Sequence, residues 1–283
     1  MSEGAEPGER APAAGRPLEA GERVLLQDLK GRRYLVTLAR GGTFHTHKGR
    51  LAHDRLIGAP EGEVVRTDQG QRLLVLRPTF ADWVVKMPRG AQVIYPRVIA
   101  LMVLAADVRP GQAVAEAGAG SGALSIALLQ ALGPEGRLVS FELRPEFAAQ
   151  ARRNVEAWFG KVPEGWELRE GDVVDGLGEL GPLDRICLDL LEPWLLVPGA
   201  AAALVPGGVL AAFVATVPQV MRTVEALEAS GSFGLTETSE AIIRPWHVDG
   251  LAVRPQHRIV GHTGFLVVSR RVSGPWPAPP AIH

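Results

Sequence analysis

The chain has a single cysteine, Cys187, which excludes an intramolecular disulfide. Set in an apolar run, that thiol reads as a buried small hydrophobe. No Cys/His cluster accompanies it, so no metal site is expected. Apolar runs of the ~20 residues that span a bilayer are missing. Met1–Arg10 has no apolar signal-peptide core, so a cytoplasmic protein with no membrane contact is expected. Excess positive charge is absent as well. Thirty Lys+Arg against 31 Asp+Glu give a net charge of −1. That argues against a scavenging, non-specific nucleic-acid binder, and no DNA partner is expected. A local basic patch assembled on folding or across subunits stays open.

What is present is an ordinary globular composition, 46% hydrophobic over 283 residues, enough for one large or two modest domains. Residues 1–20, rich in Gly, Pro, Ala and Glu, read as a disordered extension. Residues 21–80 read as a small β-rich domain, with short strands at Glu22–Gln27, Arg33–Leu38, Val64–Arg66 and Arg72–Leu76 between turn signals. His45 and His47, at i and i+2, can share a strand face. With no carboxylate or Cys beside them, a polar hairpin or an RNA-facing turn is expected rather than a metal site. Residues 81–271 form the larger domain, linked through Phe80–Gly90. Its expected strands are 112–117, 137–142, 166–170, 184–189, 208–214, 235–243 and 264–270. Helices are expected near 97–105, 122–132, 146–158, 195–204 and 217–230. Such βα alternation implies a mostly parallel sheet with helices on both faces, closed by an antiparallel pair. Residues 272–283 are a proline-rich tail, expected to be disordered.

The rest is organised around Ala113-Val-Ala-Glu-Ala-Gly-Ala-Gly-Ser-Gly-Ala123. A buried strand feeds a glycine turn and then a helix. Glycine removes the Cβ that would hold a ligand off the main chain, and free N–H groups are expected to point outward. Gly118, Gly120 and Ala123 also fit the Gly-x-Gly-x-x-Ala of nicotinamide cofactors. Glu116, two residues ahead of Gly118, shifts the balance: a carboxylate repels a diphosphate but not an ammonium. Glu-x-Gly-x-Gly-x-Gly resembles motif I of the S-adenosylmethionine (AdoMet) methyltransferases, whose acid helps orient the cationic methionine end of the cofactor. The alternative for Glu116 is a solvated strand-end acid.

Ligands of such sheets sit beyond the carboxyl ends of the strands. Glu142 ends the second strand of this domain, where a carboxylate can accept both ribose hydroxyls; otherwise it is a helix N-cap ahead of Pro145. Asp172, after the third, can accept from an adenine amino group; otherwise it is a plain turn acid. Asp189, near the end of the fourth, is the candidate catalytic residue. Many AdoMet enzymes that act on exocyclic amines read Asn/Asp-Pro-Pro-Tyr there, whereas this chain reads Asp189-Leu-Leu-Glu-Pro-Trp194. The change suits a ring nitrogen such as adenine N1. Methylating N1 leaves a cationic base, and an adjacent carboxylate stabilises that charge while accepting from N6. Trp194 either stacks on an extruded base or packs in the core.

Four segments together carry a resemblance: Glu116–Gly122, Asp189–Trp194, Gln92-Val-Ile-Tyr-Pro96, and Arg254-Pro-Gln-His-Arg-Ile-Val-Gly-His-Thr-Gly-Phe-Leu266. The chain is similar, from about Gly21 to Arg271, to the bacterial and archaeal tRNA (adenine-N1)-methyltransferases that modify the T-loop adenine at position 58, and most to actinobacterial members. The resemblance implies a Rossmann-like class I methyltransferase domain with a small N-terminal β domain. It implies AdoMet as donor, S-adenosyl-L-homocysteine as product, and tRNA lying across more than one subunit of a homotetramer. Carried onto this sequence, it implies Gly118, Ala119, Gly120, Ser121, Gly122, Glu142 and Asp172 on the cofactor. Asp189 would touch both cofactor and adenine, and Gln92 and Tyr95 would close over the cofactor, Tyr95 being equally a structural residue. Arg254 and His257 would serve the adenine pocket or the RNA backbone, His257 being equally a backbone-ordering residue. Where the family reads Tyr-Pro-Lys-Asp, this chain has Tyr95-Pro-Arg-Val98, so a contact made by that acid is lost while Arg97 keeps the positive charge.

Overall fold

Alternating apolar residues between closely spaced turns build the first of two units, Met1–Lys86 and Met87–His283. The computed structural model describes residues 15–90 and 94–277. In the first unit, β1 (Arg23–Asp28) pairs antiparallel with β2 (Arg33–Thr37). A separate hairpin joins β3 (Thr43–Thr46) to β4 (Gly49–Ala52). Next come β5 (Val64–Arg66), β6 (Arg72–Leu76) and the helix α1 (Phe80–Lys86). The four-stranded sheet has the order β2-β1-β6-β5. Val24, Leu26, Leu51, Leu56, Leu73 and Val75 fill its core.

Three local expectations are corrected here. Leu18, assigned to a disordered extension, is 1% exposed in that core, and its N–H bonds to the Ala59 carbonyl (2.9 Å). Residues 80–86, expected as a linker, form α1, whose Trp83 and Val84 are buried. His47 lies in the turn after β3, so it does not share a strand face with His45.

The second unit begins with α2 (Pro96–Ala105), whose Pro96 occupies a first-turn position where a missing N–H costs nothing. It continues with β7 (Ala113–Ala117), α3 (Ala123–Leu132), β8 (Arg137–Glu142), α4 (Pro145–Phe159) and β9 (Trp166–Glu170). The chain then forms α5 (Val173–Gly176), β10 (Leu183–Asp189), α6 (Val197–Ala203), β11 (Leu204–Val214) and α7 (Val217–Ala229). It ends with β12 (Phe233–Glu240), a hairpin of β13 (Trp246–Asp249) and β14 (Ala252–Pro255), and β15 (Phe265–Arg271). The seven-stranded order is β12-β15-β11-β10-β7-β8-β9. The five strands from β11 to β9 are parallel, and β15 and β12 close the edge antiparallel.

Parallel strands covered on both faces are apolar throughout, and β7, β8 and β10 bury nearly every residue. The strand order reverses between β7 and β10, which opens the crevice at their carboxyl ends. The β13–β14 hairpin was not expected from the sequence: its Trp246, Val248 and Val253 are exposed, so no buried face signals it. The tail is ordered further than expected, since the Val272 N–H bonds to Ser232 O (3.0 Å) and the Trp276 N–H to Gly231 O (2.8 Å).

Candidate active site

The glycine turn follows from backbone geometry. Gly118, Gly120 and Gly122 have φ of 86°, 56° and 82°, values that side chains other than glycine rarely adopt. Space is equally restrictive at two of them. A Cβ on Gly118 would overlap the Asp189 carbonyl oxygen and lie 3.0 Å from its carbonyl carbon, while one on Gly122 would lie 3.1 Å from Ala151 Cα. The turn therefore packs against the end of β10 and lets α3 close on α4. Asn154 fastens it from behind by donating to Ser121 O and Pro88 O (2.8 Å each).

Four of the turn's N–H groups are taken up rather than held out as expected. Gly118 and Ala119 donate to Phe141 O (3.0 and 3.1 Å), Gly122 donates to Ala119 O (2.7 Å), and Gly120 donates to Glu142 Oε2 (2.8 Å). The reason is tertiary: the end of β8 lies alongside and takes up the donors. The α3 N-terminus has its own anion too. Glu116 is fully buried, not a solvated acid, and its Oε2 accepts from Ser125 Oγ (2.6 Å) and Ser140 Oγ (2.5 Å). Trp166 Nε1 donates to Ser140 Oγ (2.9 Å), leaving the serine proton for Glu116. A carboxylate held against the first helical turn is where the helix dipole favours negative charge.

Three carboxylates thus gather at the switch point. Burial pushes Glu116 up to about 7, against the lowering effect of the serine hydroxyls and with the Glu142 charge adding to the rise. Burial likewise raises Asp189 to about 7, reinforced by the charges of Glu116 and Glu142. The half-buried Asp189 side chain makes no hydrogen bond among the described residues. Such a crevice repels a dinucleotide diphosphate and attracts a cation. The fit to AdoMet rests on the same features: open backbone at Gly120, where a Cβ would meet only Gly118 O at 3.8 Å, acids in place of a phosphate cradle, and two buried oxygens without partners among the described residues, Glu116 Oε1 and Ser121 Oγ.

The remaining sequence candidates divide. Glu142 is buried, holds Gly120, and also accepts from Arg144 N (3.1 Å). It does not cap α4, whose N-cap is Arg144. Asp172, exposed, caps α5 by accepting from Val174 N (3.0 Å). Tyr95 is half-exposed at the start of α2, with the Arg97 guanidinium 5.3 Å from its ring. Trp194 is half-buried and carries the Arg222 guanidinium 5.3 Å from its ring. Arg254 and His257 are exposed, on and just after the β13–β14 hairpin, and neither makes an ion pair or side-chain hydrogen bond among the described residues. Gln92 lies outside the described residues. No group of three or more His, Cys, Asp or Glu suited to a metal occurs among the described residues.

Two residues that sequence reasoning missed hold the loops after β10 and β11. Gln219, on α7, donates to Leu191 O (2.8 Å) while its Oε1 accepts from Ala215 N (3.1 Å) and Thr216 N (3.0 Å). It ties the loop after β10 to the loop after β11; the Thr216-x-x-Gln219 capping box was its only local signal. His262 places Nε2 2.9 Å from Ala215 O and Nδ1 2.5 Å from Glu240 Oε1. Both partners accept, which favours the doubly protonated ring, and its pKa is raised, by the Glu240 hydrogen bond first. Nothing local marks this pairing, which spans 22 and 47 residues.

Comparison with known proteins agrees with this geometry. Residues 72–252 match the family described as tRNA methyltransferase complex GCD14 subunit, and residues 17–65 match a TrmI-like N-terminal family. The chain is 42% identical over 248 residues to the tRNA (adenine(58)-N(1))-methyltransferase TrmI of Thermus thermophilus, covering 88% of this chain and 96% of that protein. A Thermotoga maritima structure called a SAM-dependent O-methyltransferase superposes with a TM-score of 0.86 at 30% identity, covering 91% of this chain and 95% of that one. The tRNA (m1A58) methyltransferase TrmI of Aquifex aeolicus superposes with a TM-score of 0.80 at 26% identity, covering 91% and 99%.

Proposed function

Because this chain belongs to the GCD14/TrmI family of tRNA adenine-N1 methyltransferases, we propose that it transfers a methyl group from AdoMet to N1 of adenine 58 in the T loop of tRNA, giving 1-methyladenosine. The observation that carries this reading is the acid set at the switch point, with Asp189 at the tip of β10 and no hydrogen bond of its own among the described residues. When bound, AdoMet supplies an electrophilic methyl on a sulfonium. The chain does the rest. Gly120 admits close backbone approach, Glu142 offers acceptor capacity for ribose hydroxyls, and Glu116 sets a negative potential behind the turn. Asp172, with one oxygen on the α5 cap, serves the adenine amino group of the cofactor. Tyr95, with Gln92, covers the cofactor, and Trp194 walls the base pocket. Arg254 and His257 contact the RNA.

Asp189 has two tasks. Its carboxylate accepts a hydrogen bond from N6 of the target adenine, which fixes the N1 lone pair in line. It then stabilises the positive charge the ring acquires on alkylation, in surroundings where water screens little. Burial among like charges keeps this acid reluctant to ionise alone and favours a cationic partner.

The protein acts as a cytoplasmic homotetramer in this reading. The exposed hairpin supports assembly, for Trp246, Val248, Leu251 and Val253 present apolar surface of the kind subunits bury. The deciding experiment incubates purified protein with labelled AdoMet and unmodified tRNA and maps the methylated base. Label on N1 of adenine 58 is expected; label on protein, on another atom, or none on RNA overturns the assignment.

A further inference from the structure

The first unit holds a cleft of about 410 Å³ where three hairpin turns meet. The β1–β2 turn contributes Lys30 and Arg32, the β3–β4 turn Lys48, and the β5–β6 turn Gln71 with Arg72 at its end. These turns are locked together. Asp28 Oδ1 accepts from the N–H groups of Lys30 (2.9 Å) and Arg32 (3.0 Å). Its Oδ2 accepts from Arg32 Nε (2.7 Å) and Gln71 Nε2 (3.5 Å). The hydroxyl of Thr67, itself buried, donates to Lys48 O (2.7 Å) and accepts from Gln71 N (3.1 Å). A side chain on Gly49 would come within 2.9 Å of both Gln69 N and Thr67 Oγ1, so the β3–β4 turn has no room to shift that way.

The charge on this framework is uncompensated. Asp28 is the one carboxylate lining the cleft, and Arg32 neutralises it. Lys30, Lys48 and Arg72 make no ion pair among the described residues. Elsewhere in the unit Arg16, Arg33, Arg50 and Arg77 are each matched with an acid. Arg23 lies over the Trp83 ring and Arg55 donates to Arg66 O, while Arg40, Arg66 and Lys86 also make no ion pair among the described residues. Arg72 also stands directly opposite Arg66 across the β5–β6 ladder, an arrangement that like-charge repulsion disfavours. Rigid turns that each hold out a cation suit an anion whose charges are strung along a chain.

We propose that this cleft binds backbone phosphates of the tRNA, giving the first unit a positioning role in substrate capture. The proposal rests on the functional reading above and adds the site to it. Phosphate contacts are sequence-independent and salt-dependent, each contributing close to one unit of slope in log affinity against log salt.

The test measures tRNA affinity of the full chain between about 50 and 200 mM salt, for the native protein and for Lys30→Ala/Lys48→Ala/Arg72→Ala. The triple variant should lose roughly two to three units of slope and on the order of 100-fold in affinity near physiological salt, with AdoMet affinity and melting temperature unchanged. Lys48→Gln alone, on an exposed turn, should lose about one unit, and carries the test if the triple variant is unstable. If the native protein binds no tRNA, the functional reading fails. If it binds and the variants match it in affinity and slope, the cleft assignment fails while that reading survives. A calorimetric titration with inorganic phosphate adds an arm: loss of phosphate binding in the triple variant with tRNA affinity intact would make the cleft a small-anion site and overturn the proposal.

Discussion

Gly118→Ala tests the coupling between the glycine turn and the acid at the tip of β10. Alanine at φ 86° bears a left-handed penalty of about 1–2 kcal/mol. The added methyl meets the Asp189 carbonyl group, backbone that cannot rotate away, and lies 3.0 Å from its carbon, with the Leu190 side chain 3.3 Å off. Carbon pairs rest at about 3.5–4.0 Å, so the turn and the end of β10 must part by roughly 0.5–1 Å. Overpacking adds about 1–3 kcal/mol, and the shift displaces the Asp189 carboxylate. A misplacement of that size costs on the order of 100-fold in rate. Gly160→Ala is the control: its φ of 79° is likewise left-handed, with nothing within 4 Å to strike, so it should lose about 1–2 kcal/mol and keep full activity. Thermal melting and single-turnover methylation of tRNA measure both quantities. Gly118→Ala at near-native turnover, or Gly160→Ala equally inactive, would refute the reasoning.

Other consequences follow from the same site. Asp189→Asn should lower single-turnover methylation on the order of 10²–10³-fold while AdoMet still binds in a calorimetric titration. In the native enzyme Asp189 must be ionised, and burial raises it to about 7; kcat/KM should therefore be full above that pH and fall as pH drops through it. A flat profile down to pH 5 would count against the assignment. Glu116, raised from 4.5 to about 7, binds more protons in the folded than in the unfolded chain. Its contribution to stability is full below about 4.5 and lost as pH rises to about 7, a change of about 3 kcal/mol. Urea unfolding across that window should show Glu116→Gln less pH-dependent by about that amount. Gln219→Ala, which frees Leu191 O and the Thr216 cap, should cost about 1 kcal/mol and lower kcat several-fold without weakening AdoMet binding; an unchanged kcat would remove its role in holding the loop.

Patterns that repeat over short range were enough for the sequence to determine the α/β architecture, the glycine turn, and the acids Glu142, Asp172 and Asp189 at strand ends. Apolar runs alternating with helical stretches dictate a covered parallel sheet, and strand order then sets the ends of β7, β8 and β10 side by side. The sequence could not show that the turn's N–H groups are taken up by Phe141 O and Glu142, because their partners lie on β8, about 20 residues away. Nor could it show that Glu116 is buried between Ser125 and Ser140, or that Gln219 and His262 reach the loops beside Asp189. The basic cleft of the first unit is the extreme case. Lys30, Lys48 and Arg72 are unremarkable in a chain of net charge −1, and only tertiary packing of three turns, fixed by Asp28 and Thr67, sets their charges around one space. Local propensity is written residue by residue, whereas electrostatic environment depends on which distant groups share a low-dielectric volume, and that is decided when the chain closes on itself.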